Sequence, residues 1–177
     1  MIRTILSFAI LLVASAAMAQ HYQPYAGQQV RSIKALSEQE IADFLAGRGM
    51  GLARSAELNS YPGPMHALEM ARVLGLDVAQ IAALEDQKRR MVTAATVLVE
   101  RIVAAELELD RLFAERRIDM AQLQTRSVEI GRLQGELRAI HLAAHLETRA
   151  SLTEAQVRHY DELRGYTGLV RGHRATH

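Results

Sequence analysis

The sequence predicts an all-α fold, a long antiparallel helical hairpin with short flanking helices, and three observations carry that prediction. Pro24, Pro62 and Pro64 are the only prolines, so nothing after residue 64 forbids long uninterrupted helix. From Ile81 onward apolar side chains recur at three-four spacing. Finally, Leu76-Asp77-Val78-Ala79-Gln80-Ile81 and Leu152-Thr153-Glu154-Ala155-Gln156-Val157 are near copies, and each reads as the start of a helix. Asp77 or Thr153 at the N-cap accepts from the amide three residues on, Gln80 or Gln156 reaches back to the cap amide, and the flanking apolar residues staple across the joint.

Residues 1–19 hold one charge, Arg3, an apolar run from Ile5 to Val13, and a closing Ala17-Met18-Ala19. This pattern is that of a cleavable secretory signal, so the chain is expected to be exported. Residues 20–35, rich in Gln, Tyr and Gly without periodicity, read as a flexible arm. The helical domain is expected over 36–166, and 167–177 as a disordered tail carrying His173 and His177.

Within the domain, Ser37-Glu38-Gln39-Glu40 is a capping box opening a helix to about Ala46, and Gly47, Gly49 and Gly51 then interrupt the pattern through residue 63. Pro64 suits the first position of a helix running to Leu74 and closed by Gly75. A helix from Val78 to about Ala114 places Ile81, Leu84, Met91, Ala95, Leu98, Ile102, Ala105, Leu109 and Leu112 on one stripe interrupted only by Lys88, and at 1.5 Å per residue it is about 55 Å long. The polar connector 115–119 is short, so the next helix, capped by Asp119 and running from Met120 to about Arg149, folds back antiparallel. Its seam is Leu123, Ile130, Leu133, Leu137, Ile140 and Ala144. Gly131 and Gly135 lie four apart, which fits a close helix crossing or a groove that takes a substrate. A last helix from Glu154 to about Arg164 ends at Gly165. Apolar faces this long and thin call for a partner, and an antiparallel homodimer with a cradle-like surface is expected.

Composition excludes several functions. Removing residues 1–19 takes away one basic residue and no acidic one, which leaves 20 of the 21 basic residues against 20 acidic ones. A neutral, finely mixed surface is no match for nucleic acid. With no cysteine there is neither disulfide nor thiolate chemistry. There is no Gly-x-Ser-x-Gly elbow and no phosphate loop, and paired carboxylates such as Glu106 and Asp110 fit a solvated helix face, so an enzyme is not expected and no cofactor is required.

The sharpest local constellation is His141 and His145, whose imidazoles leave one helix face about 40° apart. They fit two ligands of a metal ion, with His66, Glu69 and Met70 as further donors from the helix after Pro64, and Zn, Cu, Ni or Co as candidate ions. The reading that weighs more is a structural pair bordering the apolar seam and hydrogen-bonded to Glu147 or a neighbouring helix, and for Met70 simple packing.

Leu152-Thr153-x-x-Gln156 resembles the signature of the periplasmic Spy/CpxP-like proteins, a group with ZraP-like and CnrX-like metal-responsive relatives. The first copy departs from it, with Asp77 in place of Thr. Glu57-Leu58-Asn59, Tyr61-Pro62-Gly63-Pro64-x-His66 and His141-x-x-x-His145-Leu146-Glu147 resemble a branch of the same group, so the resemblance spans roughly 36–166. It implies an ATP-independent periplasmic chaperone or envelope-stress protein, a homodimer that holds unfolded or misfolded proteins. It implies, as the alternative, a heavy-metal sensor or resistance protein acting with a membrane sensor partner, or, as in CpxP-like proteins, an adaptor that inhibits a sensor kinase. The ligand order of CnrX-like proteins does not map onto this chain, so no metal ligand is carried over from them.

Overall fold

The computed structural model describes residues 24–167. The signal segment expected over 1–19, residues 20–23 of the arm, and the tail from 168, with His173 and His177, lie outside the described residues. Six α-helices follow a single 3-10 turn at Gln28–Val30: α1 Glu38–Leu45, α2 Arg54–Glu57, α3 Pro64–Glu69, α4 Val78–Ala114, α5 Met120–Ser151 and α6 Glu154–Leu163. No strand occurs among the described residues, and none of the helices there is long and apolar enough to cross a membrane.

Local chemistry sets both ends of these helices. Ser37, Asp77, Asp119 and Thr153 each accept from the backbone three residues on, while Glu40, Gln80, Gln122 and Gln156 return a bond to the cap amide. The exits are equally uniform. At Gly47, Gly75, Arg116 and Gly165 the chain turns left-handed, and the next residue's amide reaches back to the carbonyl five earlier: Arg48 to Asp43, Leu76 to Ala71, Arg117 to Leu112, Tyr166 to Asp161. At Gly47 the glycine is doubly required, since an added Cβ would lie 2.6 Å from Val92 Cγ2.

The two long helices run antiparallel, as shown by the ladder of contacts from Gln87–Ser151 through Arg90–Glu147 to Arg101–Glu129 and Arg126–Glu108. Ala95, Leu98, Val99 and Ile102 of α4 pack on Leu133 and Leu137 of α5, and Leu36, Phe44 and Leu52 cover this core from the N-terminal segment. A second cluster joins Ala67, Leu84, Leu152 and Val157, with Leu76 packed against it, so the Leu152 and Val157 staple of the second box and the leading leucine of the first share one core.

Three expectations change. The N-terminal arm is docked from Ile33 onward: Ile33 is 4% exposed, and Lys34 Nζ lies 2.9 Å from Asp110 Oδ2. The helix after Pro64 ends at Glu69 rather than Leu74, because residues 70–75 tighten into turns that bury Leu74 before the left-handed exit at Gly75. Gly131 and Gly135 make no close crossing within the chain, since nothing lies within 4 Å of a Cβ placed on either. Each sits two residues, about 200° of helix, from Leu133, whose row faces α4, and so points away from the hairpin partner.

Candidate functional site

The buried row of α5 runs Ile130, Leu133, Leu137, His141, Ala144, Thr148, so a histidine takes a core position. His141 is 3% exposed, and neither ring nitrogen has a hydrogen-bond partner among the described residues. Burial, and then the neighbouring His145, hold its pKa below the ordinary histidine value. Its Nδ1 faces the glycine loop, where a Cβ on Gly49 would lie 3.4 Å away.

One turn on, His145 is oriented by the Tyr61-Pro62-Gly63-Pro64 segment. The two prolines and Gly63 are buried, and Gly63 is extended at φ −87°, ψ 150°, which presents the Tyr61 carbonyl 2.6 Å from His145 Nδ1. A carbonyl only accepts, so Nδ1 carries a proton. Nε2 lies against Gly63, where a Cβ would come within 2.8 Å. Glycine at 63 is therefore a condition for the ring's position.

Glu57, at the end of α2, is the polar centre of the site. Its Oε1 accepts from Tyr160 Oη at 2.5 Å and Tyr166 Oη at 3.1 Å, with Arg164 Nε at 3.4 Å. Its Oε2 is buried without a hydrogen bond, and His145 Nδ1 lies 3.7 Å from it. Tyr160 is fully buried, and that burial together with its bond to Glu57 pushes the phenol far above its ordinary pKa. It therefore stays a neutral donor.

His141, His145, Glu57, Arg164 and Tyr166 line a cavity of about 340 Å³ between the 47–63 segment, the start of α3, and the faces of α4, α5 and the chain after α6. His66, His141 and His145 all line it. Glu69 and Met70 do not; Glu69 instead holds His66 Nδ1 at 3.0 Å. Glu147 also takes another partner, Arg90 at 2.6 Å, rather than either histidine. Among the described residues no three His, Asp or Glu side chains are grouped closely enough to hold a metal ion.

Several members of the site had no signal in spacing alone. Tyr160 and Tyr166 are 103 and 109 residues from Glu57, and Met50, Met65 and Met91 line the cavity in place of Met70. The available clue was collective: Glu57, Tyr61 to Pro64, His66, His141 and His145 belong to the three sequence blocks that carried the family resemblance, and all three blocks meet here. Met50 lines the cavity with a left-handed backbone, φ 41°, between Gly47 and Gly51 at φ 70° and 87°. Compared with protein-family models, curated proteins and solved structures, the chain matches none of them.

Proposed function

We propose that the protein is an exported, ATP-independent chaperone or envelope-stress protein of the periplasm, and that it holds unfolded or partner proteins on its helical hairpin. The observation that supports this most is the hairpin tip. Phe113 is 53% exposed and Met120 78% exposed, on either side of a connector carrying Glu115, Arg116 and Arg117, with Val97, Leu107 and Val128 also exposed along the two helices. Scattered apolar groups among mixed charges give many weak, replaceable contacts, which suits capture and release without nucleotide. In this reading two copies associate antiparallel and offer a shared cradle. The test is light scattering of a chemically denatured client diluted with and without the full chain. Suppressed aggregation near equimolar dimer is expected, and Phe113→Ser with Met120→Ser should weaken it; no suppression overturns the reading.

A second reading has its own support, since His66, His141 and His145 line one cavity. In it the protein is a periplasmic heavy-metal sensor or resistance protein that signals to a membrane partner. Calorimetric titration with Zn(II), Cu(II), Ni(II) and Co(II), repeated on His141→Ala and His145→Ala, tests it. Binding unchanged by both substitutions removes it.

A further inference from the structure

We propose that the cavity is a thioether-rich site for a soft monovalent cation, Cu(I), with His141 as its imidazole donor; this rests on the metal-binding reading above and gives it a different ligand set. Three of the protein's seven methionines, Met50, Met65 and Met91, come from three separate segments to line this one cavity. Packing alone needs no such convergence, because leucine fills the same volume. Thioethers are neutral, soft donors that select Cu(I) over Zn, Ni and Co.

The histidines are not equivalent. His145 gives Nδ1 to Tyr61 and sets Nε2 against Gly63, so its ring is a fixed wall of the cavity. His66 has its Nδ1 engaged by Glu69. His141 is buried in the core row of α5 and turns its Nδ1 toward the glycine loop that carries Met50. Divalent borderline ions want four or more N and O donors, whereas two or three soft donors suffice for Cu(I). The cavity offers three thioethers and, in His141, an imidazole with no hydrogen bond to either ring nitrogen among the described residues.

The experiment uses the full chain, with Ag(I) as redox-inert stand-in and Cu(I) under anaerobic reducing conditions against a chromogenic Cu(I) chelator. Methionine methyl resonances from 13C-labelled protein are followed in parallel. One bound ion is expected, with shifts at Met50, Met65 and Met91 but not at Met70 or Met120. Met50→Leu, at a half-exposed position where folding is least affected, should weaken binding roughly tenfold, and the triple Met50→Leu, Met65→Leu, Met91→Leu variant roughly 100-fold or more. Thermal melting of each variant separates lost affinity from lost fold. The inference is overturned by Met→Leu variants that fold and bind Cu(I) like the parent, or by Ag(I) shifts at Met70 and Met120 instead. Divalent ions binding through His141 and His145 while Cu(I) does not would overturn it and leave the metal-binding reading standing. No binding of any ion removes both.

Discussion

The carboxamides of Gln80 and Gln156 form a closed reciprocal pair: Gln80 Nε2 donates to Gln156 Oε1 at 2.9 Å and Gln156 Nε2 returns to Gln80 Oε1 at 3.0 Å. Each oxygen also accepts its own N-cap amide, and each nitrogen gives its second proton to the carbonyl two residues before the other's cap, Ser151 or Gly75. The repeated sequence boxes, 76 residues apart, are thus two halves of one locally two-fold junction that locks the start of α4 to the start of α6. All four amide protons are used. Gln80→Ala and Gln156→Ala should each cost roughly 1–3 kcal/mol, and the double variant should cost less than their sum by about 1 kcal/mol or more. Urea unfolding of the four proteins measures this, and additive losses would show that the pair is only two independent caps.

What was readable from the sequence follows the range of each interaction. α4 was expected from Val78 to about Ala114 and runs over that span, because its cap, period and exit are all written within a few residues of where they act. The Gly131 and Gly135 pair was ambiguous, since four-residue spacing is shared by close crossings and open faces, and only the Leu133 and Leu137 row decides which way it points. His141 and His145 were visible as a pair on one face. That Glu57 would meet Tyr160 and Tyr166 was not, because nothing local in a four-residue helix announces a partner more than 100 residues away.

The Tyr160 hydroxyl carries much of the cost of burying Glu57. Tyr160→Phe keeps the ring and its packing but removes the 2.5 Å donor, leaving Tyr166 and Arg164 to hold the carboxylate. A loss of roughly 1.5–3 kcal/mol is expected for a bond to a charged acceptor. Tyr166→Phe, at a more exposed position and a longer 3.1 Å bond, should cost less. Equal losses in denaturant melts would mean the two hydroxyls are not ranked by burial.

Gly63 and His145 are a matched pair. A methyl at 63 would sit 2.8 Å from Nε2 and 2.9 Å from Cε1 of a ring pinned by the Tyr61 carbonyl, so Gly63→Ala should destabilise by roughly 1–3 kcal/mol although its backbone angles suit alanine. In a His145→Ala background the obstruction is gone, and the same Gly63→Ala change should cost less than about 0.5 kcal/mol. Thermal melts of the two backgrounds decide; an undiminished cost would place the strain elsewhere in the Tyr61 to Pro64 segment.

His141 sets an acid limit on stability. Burial lowers its pKa in the folded state below the ordinary 6.5, so as pH falls through that value the unfolded chain takes up a proton that the folded chain refuses. More protons on the unfolded state means stability that is fully present above about pH 6.5 and declines with acid until the folded-state pKa is reached. Glu57, His66 and His145 line the cavity in parent and variant alike, so the comparison isolates His141 together with its repulsion from His145. His141→Leu, which fills the core position and never titrates, should therefore lose less stability than the parent between about pH 7 and 5. Urea midpoints across that range measure it, and parallel pH profiles would mean that His141 is protonated as readily in the folded protein as in the unfolded chain.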